Sequence, residues 1–362
     1  MEEKQQKEVQ YSKLPFEELR ELAEQGDVKA QFTLARRYEK GDGVEKDLTK
    51  TVEWYTKAAE QGCAGAQNNL AVCYKKGKGV EINLEKAVEW YTKSAEQGSL
   101  GAQCNLGYCY KYGDGVKQDY AKAVEWFTKA AEQGDYVVQN EVGFCYDNGY
   151  GVEKNSSKAV VWYTKAAKQG YSVAQNNLGL SYMFGEGVRK NRKKAFEWFS
   201  KAAEQGDSEA QHNLACCYKY GDGISKDYQK AFELFSKAAE QGIAKSQQIL
   251  AMCYRNGEGV EKDLEKAVEW FTKAAEQGNM NAQFYLGVCY ECGEGIEQNY
   301  EKAAEWYIKA AEQGMPEAQF NIAMFYKYGD GVNKDLAECV KWLTKAAEQG
   351  DPKAIEMLKV LK

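Results

Sequence analysis

Three short stretches contain residue types whose spacing could support chemistry. His212 is the only histidine and could act as a general base or a metal ligand. Cys289 and Cys292 form a C-x-x-C pair, the spacing of a redox site or of half a zinc site. The Gly-rich stretch KYGDGV at residues 111–116 could cradle a phosphate or hold a metal. The candidate chemistries are therefore acid–base or redox catalysis, metal binding and phosphate binding.

The KYGDGV stretch is one copy of a repeating element. The same letters return at residues 327–332, and KYGDGI stands at residues 219–224. The residue between the two glycines is Asp, Lys, Tyr or Glu in the nine copies, which a metal site would not tolerate, and no copy is followed by the Lys-Ser/Thr of a phosphate loop. We therefore expect a structural turn, in which the first glycine ends a helix and the second tightens the turn.

The histidine and the cysteine pair give little support for catalysis. One histidine cannot form a two-histidine metal site, and the motifs Ser-x-x-Lys, Lys-Thr-Gly, G-x-S-x-G and H-E-x-x-H do not occur. We expect His212 to be a solvated polar residue. Cys289 belongs to a recurring set and no second thiol pair stands at matching spacing, so the C-x-x-C is interpreted as coincidence. The sequence predicts no enzyme, no cofactor and no metal.

Charge and hydropathy disfavour nucleic-acid and membrane partners. The net charge is -6, with 48 basic and 54 acidic residues mixed along the chain. The dense basic cluster RKNRKK, from Arg189 to Lys194, has no interleaved aromatic residues, and we interpret it as a solvated turn, with anion binding or import-receptor recognition as alternatives. No stretch approaches the roughly eighteen apolar residues of a membrane span. We expect a cytoplasmic protein that does not insert into membranes.

A 36-residue repeat organises the chain. The letters AEQG, once AKQG, recur at this constant spacing from Gly26 to Gly350. Residues 1–26 are expected to form an N-terminal tail and capping helix, and residues 351–362 a C-terminal capping helix. The nine units between them are residues 27–62, 63–98, 99–134, 135–170, 171–206, 207–242, 243–278, 279–314 and 315–350.

Each unit has the pattern of a helical hairpin. In residues 99–134, Ala102 and Leu106 mark the buried face of a first helix, helix A, which ends at a glycine. A second helix, helix B, carries Trp126 and Phe127 inward and ends at AEQG. An Asp or Asn precedes helix B in all nine units and is expected to cap it: Asp47, Asn83, Asp119, Asn155, Asn191, Asp227, Asp263, Asn299 and Asp335.

The eleven cysteines are interpreted as free thiols. Equivalent positions of stacked helices lie roughly 9 to 10 Å apart, beyond the ~7 Å Cα separation that a disulfide spans. We therefore expect half-buried, unpaired side chains in a reducing compartment. Six of these cysteines share one repeat position: Cys73, Cys109, Cys145, Cys217, Cys253 and Cys289.

The shared pattern A-Q-x-x-L-G-x-x-Y-x-x-G-x-G-V-x-x-D-x-x-K-A-x-x-W-Y/F-x-K-A-A-E-Q-G resembles the Sel1-like repeat, a relative of the tetratricopeptide repeat, over residues 27–362. The resemblance implies an all-α fold, a right-handed α/α superhelical solenoid of nine helix-turn-helix repeats whose A helices line a concave face. It also implies a scaffold or adaptor for protein–protein interaction. It carries no functional site across, because the matching positions are scaffold positions: Leu106, Gly107, Tyr110, Gly113, Gly115, Asp119, Ala123, Trp126 and Gly134.

The repeats differ most on one side of helix A, which we name the A-helix strip. Tyr108 lies almost opposite Leu106 on a helical wheel, and eight of the nine residues at this repeat position, Tyr108 included, are apolar. We expect a groove whose pockets take peptide side chains while amides bind the peptide backbone; the alternative is that tilted A helices bury the strip as core. The strip residues are Asn69, Val72, Asn105, Tyr108, Tyr112, Phe144, Asn177, Leu180, Phe184, Asn213, Cys216, Tyr220, Met252, Phe284, Val288, Phe320, Met324 and Tyr328.

The functional prediction is a monomeric, non-enzymatic scaffold that binds peptide or helical segments of one or more proteins. The charges beside the strip are mainly basic, for example Lys75, Lys111 and Lys219, so an acidic-hydrophobic segment is expected to fit best. The alternatives are a small-molecule-binding or hydrolase-like solenoid resembling cysteine-rich bacterial relatives, and a host-interaction factor of a pathogen or symbiont. Disulfides of the kind found in those relatives are not expected, because alanines such as Ala102 stand at their positions.

Overall fold

The computed structural model describes residues 10–361, and this part of the chain contains α-helices, one 3-10 helix (Tyr11–Lys13) and no strand. The predicted all-α fold of nine helical hairpins with a lone helix at each end is confirmed. The twenty α-helices are α1 (Phe16–Glu24), α2 (Val28–Lys40), α3 (Leu48–Glu60), α4 (Ala64–Lys76), α5 (Leu84–Glu96), α6 (Leu100–Tyr112), α7 (Tyr120–Glu132), α8 (Tyr136–Asn148), α9 (Ser156–Lys168), α10 (Ser172–Phe184), α11 (Arg192–Glu204), α12 (Ser208–Tyr220), α13 (Tyr228–Glu240), α14 (Ala244–Asn256), α15 (Leu264–Glu276), α16 (Met280–Cys292), α17 (Tyr300–Glu312), α18 (Pro316–Tyr328), α19 (Leu336–Glu348) and α20 (Pro352–Val360).

The contacts divide the chain into two compact units. The first contains the described residues up to Ala174 together with Glu186–Arg189, and the second contains Gln175–Gly185 and the described residues from Lys190 onward. Within each unit, helix B of one repeat packs against its own helix A and against helix A of the next repeat. In the first unit α3 contacts α2 and α4, and in the second α13 contacts α12 and α14.

The turn between the two helices of a repeat is defined by its caps. Helix α6 ends at Gly113, which adopts a left-handed conformation with φ of 80°. Asp119 then accepts a hydrogen bond from the Lys122 backbone N–H at 3.0 Å, which satisfies one of the free donors of α7. The caps predicted for helix B are confirmed in all nine repeats, because each Asp or Asn accepts from the backbone N–H three residues later.

The second glycine of the turn has a role that the sequence analysis did not recognise. Gly115 also has a positive φ, but its Cα lies against the start of helix B in the preceding repeat. A Cβ at this position would lie 2.2 Å from the Leu84 carbonyl oxygen. This glycine therefore permits close approach between repeats as well as tightening the turn, and the same approach to a preceding helix B recurs at Gly79, Gly151, Gly187, Gly223, Gly259, Gly295 and Gly331.

The core combines small residues with one large side chain per hairpin. Ala102, Leu106 and Phe127 are fully buried. The six cysteines that share a repeat position were expected to be half-buried, but each is at most 3% exposed. Cys109, for example, belongs to a buried cluster with Ala87 and Tyr91 of α5. All eleven cysteines lie in the described part and are free. Burial raises the pKa of thiols such as Cys73 and Cys145 to about 11, so they remain protonated at neutral pH.

A ladder of buried glutamines ties the helices together. The Gln103 side chain donates to the Ala95 carbonyl at 3.1 Å and accepts from Gln133 Nε2 at 2.7 Å. Ala95 belongs to α5 and Gln133 follows α7, so one buried amide in α6 connects two B helices. The glutamine–glutamine bond occurs in all nine repeats. The recurrence of Gln at both positions was the sequence signal for this ladder.

Candidate functional site

The A-helix strip is partly open. All eighteen strip residues lie in the described part of the chain, and none of them is fully buried. Five are exposed, four of them at the last residue of a helix A: Tyr112 is 62% exposed, Phe184 64%, Tyr220 58% and Tyr328 62%. The fifth is Phe144, at 40%. The remaining strip residues are half-buried against neighbouring repeats.

Three aromatic strip residues of the first unit, Tyr108, Tyr112 and Phe144, lie around Lys111. The Tyr108 and Tyr112 rings stack with centroids 6.1 Å apart, and Tyr108 also packs edge-on against the buried Phe127 ring at 5.0 Å. The Lys111 ammonium lies 5.4 Å from the Tyr112 centroid and 5.9 Å from that of Phe144. Tyr108 is therefore a bridge between strip and core, whereas Tyr112 and Phe144 present ring surface to solvent.

The strip amides are engaged within the protein. Asn69 donates to the Tyr55 hydroxyl at 3.1 Å, and Asn105 donates to the side-chain oxygen Oδ1 of Asn68, in the preceding repeat, at 3.2 Å. In the second unit Asn213 donates to Asn176 at 2.8 Å. These bonds connect neighbouring helices, so fewer amide donors face a peptide than the sequence suggested.

The basic residues beside the strip are paired with acids of the following repeat. Lys75 contacts Asp114 at 2.9 Å, and Lys111 pairs with Glu141. In the second unit Lys219 binds Glu258 at 2.7 Å, and Arg255 binds Glu294 in the same manner. The hydrogen bond from Lys219 lowers the pKa of Glu258, which keeps that carboxylate ionised. The positive charge counted from sequence is therefore largely neutralised in place.

The expectation that His212 is solvated is wrong. Its side chain is only 7% exposed, because it lies between α12 and α14 with the Phe235 ring edge-on at 5.6 Å. Nδ1 lies 2.7 Å from the Ser246 hydroxyl and Nε2 lies 3.6 Å from the Cys216 sulfur. Burial, followed by the nearby Lys245 charge, lowers the pKa of His212 to about 4, against the raising effect of Glu209. The imidazole is neutral at pH 7 and links two repeats.

This buried imidazole predicts a pH dependence of stability. Between pH 6.5 and about 4 the unfolded chain binds a proton at His212 that the folded chain does not accept. As the pH is lowered from 6.5 to about 4, the free energy of unfolding should therefore fall by on the order of 3 kcal/mol. His212→Asn, which installs the residue found at the equivalent position Asn176, should remove this contribution. Urea unfolding of both proteins across the window measures the difference, and parallel pH profiles would contradict the prediction.

Two further candidates from sequence, the cysteine pair and the basic cluster, show no arrangement of side chains suited to catalysis or metal binding. Cys289 is buried and Cys292 is exposed, although they are three residues apart. In the basic cluster, Arg192 pairs with Asp222 at 3.1 Å. Among residues 10–361 no group of three or more His, Cys, Asp or Glu side chains is arranged to hold a metal ion. Within the same range no helix has both the length and the apolar character needed to cross a membrane.

Comparison with solved structures finds two bacterial relatives over most of the chain. The protective antigen c5321 of uropathogenic Escherichia coli, described as displaying an SLR fold, is 38% identical with a TM-score of 0.73, covering 95% of this chain and 82% of the antigen. A Sel1 repeat protein from Oxalobacter formigenes is 32% identical with a TM-score of 0.70, covering 91% of this chain and 98% of that protein. No curated protein matches the chain.

The family model described as Sel1 repeat matches nine consecutive segments: residues 28–63, 64–99, 101–135, 137–171, 172–207, 208–243, 244–279, 281–315 and 316–351. These segments contain the hairpins α2–α3 to α18–α19, each with its capped turn and its glutamine–glutamine hydrogen bond. The match accounts for most of the sequence and agrees with the structural relatives. The chain therefore belongs to the Sel1 repeat family.

Proposed function

We propose that this protein is a non-enzymatic scaffold that binds peptide or helical segments of partner proteins along the A-helix strip. Sel1 repeat proteins are in general scaffolds for protein interaction. The main support for binding along the strip is a set of exposed aromatic rings. In four of the nine repeats of residues 27–350 such a ring ends helix A: Tyr112, Phe184, Tyr220 and Tyr328.

These four rings are more exposed than structural packing requires. Each is about three-fifths accessible to solvent, while the residue three positions earlier in the same helix is buried. Aromatic side chains contribute large contact area at low entropic cost, and they dominate the energetics of protein interfaces. Covering such rings removes apolar surface from water at roughly 25 cal/mol per Å². A partner segment that lies across several A helices would gain this energy at each repeat it crosses.

The partner chemistry follows from the neutralised charges. Since Lys75, Lys111, Lys219 and Arg255 already have carboxylate partners, an acidic segment would have to displace internal ion pairs to reach them. Apolar and aromatic contacts are therefore proposed to supply most of the binding energy. The acidic-hydrophobic partner expected from sequence is therefore proposed to bind mainly through its hydrophobic residues.

A strip variant tests the proposal. We would replace Tyr112, Phe144 and Tyr328 with serine, because these exposed residues can be changed without opening the core. The control replaces, also with serine, Val161 and Val340, which are 55% and 41% exposed and lie in the B helices α9 and α19, outside the strip. Partner proteins captured by wild type from a lysate of the source cells and identified by mass spectrometry should be lost in the strip variant.

The control variant should retain those partners, and both variants should keep the circular dichroism spectrum of wild type. Equal partner sets for all three proteins would remove the strip as the binding surface. Loss in the control variant alone would move the interaction to the B helices.

A further inference from the structure

The second unit contains a cavity of about 360 Å³ on the A-helix strip, which lies within the usual range of ligand pockets, roughly 300 to 1,000 Å³. It lies among α10, α11, α12 and the turns that follow α10 and α12. Its apolar wall consists of Leu180, Met183, Phe184, Phe199, Cys216 and Tyr220. The wall is continuous with the exposed aromatic positions, since Phe184 and Tyr220 are two of the four rings that end an A helix.

One substitution within the repeat distinguishes this place from the rest of the strip. Met183 occupies the position that is charged in all eight other repeats: Glu39, Lys75, Lys111, Asp147, Lys219, Arg255, Glu291 and Lys327. Several of those charged side chains form ion pairs or hydrogen bonds across the strip. A flexible, uncharged methionine forms none of these, and it makes the wall apolar where the other repeats have a charge.

The rim of the cavity has an excess positive charge. Three charged residues line it, and two of these, Arg192 and Asp222, neutralise each other at 3.1 Å. The third is Lys190, which is exposed and has no acidic partner within residues 10–361. Lysines stand at the same repeat position elsewhere, for example Lys154, but this one lines an apolar cavity.

We propose that this cavity binds an apolar side chain of a partner segment together with an adjacent carboxylate, which Lys190 contacts. The inference rests on the proposed function and names where along the strip an acidic residue is recognised. An unpaired ammonium at the edge of an apolar pocket is complementary to an Asp or Glu next to a leucine-sized or aromatic residue. Lys75, Lys111 and Lys219 are already paired with carboxylates, and Lys327 contacts the Met357 sulfur, so none of them stands at the edge of this cavity as a free ammonium.

The cavity is suited to binding rather than to chemistry. Cys216 is the one nucleophile in its wall that has a possible base nearby, with His212 Nε2 at 3.6 Å. That imidazole is buried and donates or accepts at Ser246 through its other nitrogen. Burial raises the pKa of the Cys216 thiol to about 11, which keeps it protonated at neutral pH.

Three probes test the assignment by calorimetric titration of the full chain at low salt. They are acetyl-Gly-Leu-Glu-Gly-amide, the same peptide with Gln in place of Glu, and free hexanoate, each titrated to about 5 mM, where ligands of this size are expected to bind. The Glu peptide should bind about three- to fivefold more tightly than the Gln peptide, the usual strength of one exposed ion pair. In Lys190→Gln the two peptides should bind equally, whereas Lys154→Gln should retain the preference. Phe184→Ser should weaken both peptides, and Tyr328→Ser, changed at the same repeat position, should leave both unaffected.

The outcomes separate this inference from the proposed function. Equal affinity of both peptides for wild type, or a Glu preference that survives Lys190→Gln, would overturn the assignment of Lys190. Binding of hexanoate without binding of either peptide would overturn a peptide as the occupant. The residues changed in the strip variant, Tyr112, Phe144 and Tyr328, do not line the cavity. If both peptides fail to bind but the strip variant loses its partner proteins, the proposed function is therefore still supported.

Discussion

Replacing Gly115 with alanine is expected to lower the free energy of unfolding by about 3 to 5 kcal/mol, whereas Gly43→Ala should cost only about 1 to 2 kcal/mol. The two glycines are the second glycines of their turns, with φ of +72° and +70°. Both replacements therefore place a Cβ in the left-handed region at similar cost. They differ in what the Cβ would meet.

At Gly115 the new Cβ would lie 2.2 Å from the Leu84 carbonyl oxygen and 2.4 Å from its carbonyl carbon. Backbone atoms at the start of a helix cannot move aside without separating two repeats, and each repeat is stabilised by contact with its neighbours. At Gly43 no heavy atom would lie within 4 Å. Gly115 meets Leu84, the first residue of a full-length helix B. The helix B that precedes the repeat of Gly43 is the shorter α1, and the residue equivalent to Leu84 is Ser12, which lies in the 3-10 helix instead.

The pair of glycine variants is compared by urea unfolding followed with circular dichroism, and by hydrogen exchange of the amides in α5 and α6. Faster exchange in these two helices is expected for Gly115→Ala only. Equal losses of stability in the two variants would show that the positive φ, and not the approach between repeats, determines the requirement for glycine.

The helices and caps could be predicted from sequence because nine copies of one unit show which features are shared. Asp119 and its equivalents precede helix B in every copy, and a capping side chain acts on its own backbone three residues away. Such local interactions are determined by spacing along the chain alone. The turn glycines were recognised for the same reason.

The electrostatics of the strip could not be predicted because they depend on contacts between repeats. Lys111 pairs with Glu141, 30 residues later, and Lys75 pairs with Asp114, 39 residues later. His212 is buried because Ser246 and Phe235 cover it, and a helical wheel of α12 contains neither residue. Met183, by contrast, is identifiable from sequence as the uncharged member of an otherwise charged position, although it was not among the predicted site residues.

The position of the tryptophans is a further difference from the sequence prediction. Trp126 and Phe127 were both expected in the core, but Trp126 is half-buried whereas Phe127 is completely buried. The Lys129 ammonium lies 3.9 Å from the Trp126 centroid, and each of the eight tryptophans has a lysine three residues later at 3.8 to 4.5 Å. Lysine covers the outer face of the indole, an arrangement worth about 0.5 to 1 kcal/mol at exposed sites.

This difference predicts that Phe127→Ala is the more damaging of two adjacent substitutions. Phe127 contacts the Tyr108 ring, and its own ring lies so close to Gly107 that a Cβ there would be 2.5 Å away. Its truncation leaves a cavity between α6 and α7 and should cost about 3 to 5 kcal/mol. Trp126→Ala removes a larger side chain, but one already in contact with water, and should cost only about 1 to 2 kcal/mol.

Thermal unfolding followed by circular dichroism ranks the two variants directly. Phe127→Ala should show the larger fall in Tm, because it removes a buried ring that contacts Tyr108 and lies against Gly107. Phe127→Leu, which refills most of the space, should recover more than half of the loss. A larger loss for Trp126→Ala would contradict this prediction. It would mean that the half-buried layer of indole and lysine side chains contributes more to helix packing than the buried phenylalanine does.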